Sequence, residues 1–95
     1  MEQKKVVFKL KQNHLFIETD DILLKSLLEQ KEFIEKDLLN DNLFRFNISI
    51  DDEINFQKVF EPVKTVIEVF NFKEIYETDF FIKLKTDYCF SHLFN

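Results

Sequence analysis

Neither glycine nor alanine occurs anywhere in this chain of 95 residues. Average usage would put about 7 % glycine in a globular protein, mostly at turns and where backbone approaches a ligand closely. A phosphate-cradling loop needs a residue without Cβ so that its amides can close around the anion, which excludes a P-loop and a dinucleotide fingerprint. A nucleophile elbow is excluded for the same reason. Tryptophan is absent, proline occurs once (Pro62) and arginine once (Arg45). The single cysteine, Cys89, cannot form an internal disulfide and fits a reducing cytoplasm. No apolar run approaches the length of a bilayer span, and the N-terminal residues lead into a charged, alternating segment. The expectation is an unprocessed cytoplasmic protein with no membrane partner.

What the chain does contain is thirteen phenylalanines, 45 % hydrophobic and 33 % charged residues. That composition supports one folded domain spanning 1–95, with aromatic rings filling the volume left by the missing small residues. The residue types with G/C-rich codons are nearly absent while lysine, asparagine, isoleucine and phenylalanine abound, as expected of an A/T-rich genome. The formal charge is −5 with a pI near 5.0, so duplex DNA is disfavoured by net charge, although a local basic face could bind nucleic acid.

Residues 4–11 alternate, with Val6, Phe8 and Leu10 on one face, as in a half-buried strand. Gln12-Asn13-His14 reads as a turn in which asparagine takes the left-handed role of glycine, and Leu15 to Thr19 as the second arm of a hairpin. Thr19-Asp20-Asp21 supplies helix caps. From Ile22 the set Leu23, Leu27, Ile34 and Leu38, flanked by Leu24 and Leu28, predicts one long helix, braced by Asp21–Lys25 and Glu32–Lys36 pairs and ended by Asn40-Asp41-Asn42. Leu43 to Asp51 alternates again as a strand with Phe44, Phe46, Ile48 and Ile50 inward. Asp51-Asp52-Glu53 can cap a second helix running towards Phe70, interrupted by Pro62. Its β-branched stretch from Val63 onward suits a strand equally. Residues 79–87 predict a final strand. The fold class is α+β, in the order ββαβαβ, or ββαββ with a short helix, one sheet carrying its helices on one face.

Motifs for chemistry are sparse. Cys89 with His92 supplies two potential ligands where a structural zinc site needs four, and the pair lacks an oxyanion-stabilising loop for nucleophilic work. Asp20-Asp21 and Asp51-Asp52-Glu53 suit hard cations in type, but each precedes a helix and serves as cap and dipole complement. No catalytic residue, metal or cofactor is expected, and the chain reads as a binder rather than an enzyme.

Charge, by contrast, is organised. The first helix and its flanks collect Glu29, Glu32, Glu35, Asp37 and Asp41, an acidic surface for a protein partner. The outward strand positions collect Lys5, Lys9, Lys11, Arg45, Lys83 and Lys85, a basic sheet face that could track RNA or single-stranded nucleic acid, with Phe81 and Phe16 to stack on bases. The same lysines would also keep strand edges soluble. The aromatic C-terminal segment 88–95 either packs into the core or presents an anchor. Small size, acidity and the missing catalytic apparatus fit a phage or mobile-element inhibitor, binding a host defence nuclease such as a CRISPR effector ribonucleoprotein through its acidic face. A nucleic-acid binder using the lysine face is the alternative, and an immunity protein or antitoxin the third reading.

Overall fold

The computed structural model describes residues 3–94. Val6, Phe8, Leu15 and Ile17 are fully or almost fully buried, and their alternation drives the opening hairpin of β1 (Lys5–Lys11) and β2 (His14–Glu18). Only Gln12 and Asn13 separate the arms, both at positive φ (53° and 61°), the requirement of a two-residue turn whose twist matches the strands. Asparagine does stand in for glycine here, with glutamine beside it.

Asp21 caps α1 (Ile22–Glu29), its carboxylate accepting from the Leu24 amide at 2.9 Å. The helix stops well before the expected Leu38. Ile34 is drawn into a short strand, β3 (Ile34–Lys36), where it pairs with Phe46 of β4 (Leu43–Phe46) and is buried. Tertiary pairing overrides local helix propensity. The two bracing pairs expected along the helix are replaced accordingly. Asp21 meets Lys4 at 3.4 Å, Lys25 donates to the Asn42 side chain, and Lys36 meets Glu29.

Asp52 starts α2 (Glu53–Val69), which runs unbroken through Pro62 and buries Phe56, Phe60, Val63 and Ile67 along one stripe. The strand alternative for this stretch falls. Helical spacing, with burial every third or fourth residue, outweighs β-branching. Asn71, at φ 53°, ends the helix. Its amide bonds the Glu68 carbonyl and the next amide, of Phe72, bonds that of Ile67, a Schellman closure without glycine.

The remaining elements are β5 (Lys73–Tyr76), α3 (Thr78–Thr86) and α4 (Tyr88–Leu93). The final strand of the skeleton therefore lies at 73–76, and the segment expected to be a strand is helix α3. Phe80 and Leu84 satisfy both periodicities, and Ile82 decides between them, being half exposed instead of buried.

The sheet has the order β3-β4-β2-β1-β5, antiparallel except for the β1–β5 pair. This is an α+β fold whose skeleton is ββαβαβ, extended by β3 and the two C-terminal helices. All four helices contribute to one apolar cluster on one sheet face. Phe8, Phe44, Phe46, Phe56, Phe60, Phe72, Phe80 and Phe90 lie within it. Phe90 and Leu93 are buried and Phe94 packs against them, so the C-terminal segment belongs to the core. No helix among the described residues is long and apolar enough to cross a membrane.

Candidate functional site

With the helices on one side, the other sheet face is open. Strand pairing lays out its residues in rows. One row runs Lys9, Phe16, Arg45 and Glu35 across β1, β2, β4 and β3, and another runs Ile75, Val7, Glu18 and Leu43. Lys5 and Lys11 lie on the same face. Of the six expected basic residues, Lys5, Lys9, Lys11 and Arg45 therefore share a surface. Lys83 and Lys85 do not, because their segment is helical. On α3, Lys83 pairs with Asp87 at 3.6 Å and Lys85 lies over the Phe81 ring at 4.9 Å. Phe81 is thus engaged away from the sheet, while Phe16 stays half-buried at the centre of the open face.

The open face is not uniformly basic. Lys9 is compensated by Glu18 at 3.2 Å and Glu77 at 3.9 Å, and Glu35 sits opposite Arg45. The Asn47 side-chain amide, not Arg45, holds the Glu35 carboxylate at 3.3 Å. Arg45 has no ion pair among the described residues.

The acidic set is rearranged in the same way. Since α1 ends at Glu29, these carboxylates form no helix face. Glu29 closes α1, Glu32 lies in the following turn, Glu35 is on β3, and Asp37 and Asp41 flank the loop to β4. Only Glu35 is on the edge strand β3 itself; Glu29 and Glu32 lie on the segment leading into that strand, and Asp37 and Asp41 on the loop leaving it. Lys31 and Lys36 are the only cations in this stretch, and Lys36 is taken by Glu29 at 3.2 Å. Glu32, Glu35, Asp37 and Asp41 have no cation within ion-pair distance among the described residues.

The β3–β4 loop at this edge is tightly organised. The Asp37 carboxylate accepts from the amides of Leu39 and Asn40, both at 2.9 Å, and the Asn40 side chain accepts from the Asn42 amide and donates to Glu18. Backbone bonds from Asp37 to Leu43 and from Thr19 to Asn42, both 2.9 Å, tie its two ends to the sheet. Leu38 and Leu39 are nonetheless 96 % and 97 % exposed. The helical spacing read from the sequence predicts Leu38 on a buried helix face, and the early end of α1 leaves it in the loop instead. The signal that identifies the loop is the run of turn formers Asp37, Asn40, Asp41 and Asn42 around the two leucines, which can bond their own backbone.

Next to the loop, Phe16, Glu35, Lys36, Asp37, Leu38, Leu43 and Arg45 line a hollow of about 210 Å³. Members of the acidic and the basic sets thus meet at one place. The hollow brings together an apolar floor, a guanidinium with no ion pair among the described residues, and the carboxylates of Glu35 and Asp37.

Elsewhere Cys89 is exposed and His92 stacks on Tyr88, and among the described residues no group of metal-ligating side chains is assembled. Asp21 and Asp52 serve as helix caps. No protein-family model matches this chain, and comparison with curated proteins and with solved structures gives no significant match.

Proposed function

We propose that this protein acts by binding another protein through the acidic edge formed by Glu29, Glu32, Glu35, Asp37 and Asp41. The observation that carries this reading is that four of these carboxylates, on the edge strand β3 and the segments flanking it, have no cationic partner among the described residues. Like charges held together raise the free protein's energy, and a partner bearing lysine or arginine relieves them. Proteins that handle nucleic acid present such basic channels, so the reading extends to inhibition. Occupying the channel of a nuclease or ribonucleoprotein excludes its substrate, the action expected of a small inhibitor of a defence nuclease.

The test is recovery of the tagged protein at moderate salt from cells of its native background, followed by a cleavage assay on the recovered partner. A stoichiometric complex with a nucleic-acid-handling protein, inhibited by the wild type and released by Glu32→Lys with Asp41→Lys, is the expected result. A complex unaffected by charge reversal, or catalytic turnover of a substrate by this protein, overturns it.

One observation favours a second reading. Lys9, Phe16 and Arg45 form a cross-strand row on the open face, a stacking platform between two cations that suits a single strand. It predicts salt-sensitive binding of a single-stranded oligonucleotide, abolished by Lys9→Glu with Arg45→Glu. Compensation of Lys9 by Glu18 and Glu77 makes it the weaker of the two.

A further inference from the structure

Leu38 and Leu39 stand almost wholly in solvent at the tip of the β3–β4 loop. Other exposed apolar side chains are less so: Ile22, Val69 and Ile54 are 78 %, 71 % and 70 % exposed, and the Phe70 and Phe81 rings lie under Lys4 at 5.1 Å and Lys85 at 4.9 Å. The leucine tip is different in that the backbone beneath it is fixed. Asp37 clamps two amides, Asn40 bridges to Asn42 and Glu18, and Asn42 is held by Lys25 and Thr19. A loop already ordered loses little conformational entropy when it docks, so nearly all the gain from removing its leucines from water is available for binding.

We propose that the Leu38–Leu39 tip is a pre-formed anchor that enters an apolar socket rimmed by lysine or arginine on a partner protein. The proposal rests on the protein-binding reading above and specifies the chemistry of the surface it meets. Charge decides the occupant. Glu35, Asp37 and Asp41 flank the tip and outnumber Arg45, the one cation of the adjoining hollow without an ion pair among the described residues, since Lys36 is held by Glu29. A second copy docking tip to tip would therefore set a net negative surface against itself, and an anionic bilayer or a nucleic acid would be repelled in the same way. A cationic rim around an apolar pocket complements both the leucines and their flanks. The leucines supply the central, fully desolvated contact, and the carboxylates supply orientation and encounter rate.

The probe is an amphipathic helical peptide of leucine and lysine, compared with a peptide in which each leucine is replaced by serine, both titrated against the full-length protein by calorimetry. The wild type is expected to bind the leucine–lysine peptide. Leu38→Ser with Leu39→Ser should weaken that binding at least roughly a hundredfold, since each leucine removed from water accounts for about tenfold or more. Because both side chains are exposed, this variant should keep the wild-type melting temperature, so loss of binding is not loss of fold.

Equal binding of the leucine–lysine peptide by wild type and double variant overturns the anchor. So does equal binding of the two peptides by the wild type. If in either case Glu32→Gln with Asp41→Asn abolishes binding, the acidic-edge reading survives the failure of the anchor. No binding of either cationic peptide overturns the anchor and argues against the acidic edge as well. A concentration-dependent dimer, or capture by phosphatidylglycerol vesicles, lost in the leucine variant would assign the tip to another occupant and likewise overturn the proposal.

Discussion

Phe8 is the ring around which the core is arranged. It is buried at the centre of β1 and meets Phe80 at 5.4 Å, Tyr76 at 5.8 Å, and Phe60 and Phe94 each at 6.2 Å. No small neighbour is present to collapse into the space it would vacate. Phe8→Ala should cost about 3–5 kcal/mol, at the upper end for such truncations, measured by urea unfolding. A different residue adds a pH dependence to stability. Although Glu74 is on an exposed strand, the part of it that is covered pushes its carboxyl above the ordinary 4.5, and Glu68 adds to the push, while the Tyr76 hydroxyl and Lys64 oppose it. The Tyr76 hydroxyl is raised in turn, by burial and then by Glu74. With its folded value raised, Glu74 holds its proton more firmly in the native state than in the unfolded chain. Stability associated with it is complete below the ordinary carboxylate value and declines as pH rises through the folded one. Melting temperatures of the wild type and Glu74→Gln, compared from pH 4 to pH 8, should therefore diverge with rising pH in favour of the glutamine variant.

Among the elements, α2 carries the clearest flaw. Pro62 is inside the helix and has no N–H to donate to the Lys58 carbonyl. An interior proline is about 3 kcal/mol less favourable than alanine. Pro62→Ala should raise stability by roughly 1–3 kcal/mol, read as a higher urea midpoint at unchanged slope. That α2 could nevertheless be anticipated from Phe56, Phe60, Val63 and Ile67 shows how a long burial stripe outweighs one breaker. The β1–β2 hairpin was legible because its alternation and its asparagine turn agree. The boundary of α1 was not, since Ile34 fits the helical stripe as well as the strand that pairs with Phe46. α3 was misread because Phe80 and Leu84 are four apart and also an even number apart. β5 gave no local signal. Its four residues are all exposed, and what makes them a strand is pairing with β1, through Lys73 to Lys4 and Glu77 to Phe8. The same division applies to the candidate site. Its five carboxylates were visible as charge, whereas the leucine tip depends on where α1 ends and was hidden with that boundary.

For the molecule as a whole, the aromatic C-terminus is the closing piece of the core. Removing residues 88–95 strips Phe90 and Leu93 from the buried cluster and uncovers Phe80, whose ring meets Phe90 at 5.3 Å. Each lost side chain is worth about 1.5–3 kcal/mol, against a total of roughly 5–14 kcal/mol for a chain of this size. The truncated protein should therefore be marginal or unfolded at 37 °C by circular dichroism, while Tyr88→Ala, at an exposed position, leaves the melting temperature unchanged.

The parallel pairing of β1 with β5 also bears on synthesis. β1 meets β2 within a few residues, but its other edge waits for Lys73–Tyr76. At a translation rate of about 5–20 residues per second, that edge stays open for roughly 3–13 seconds after β1 has been made, with Val6, Phe8 and Leu10 beside it. The nascent chain is most exposed to wrong partners during this interval. Lys5, Lys9 and Lys11, spaced along that same strand, are charges that discourage a neighbouring chain from pairing there before β5 arrives.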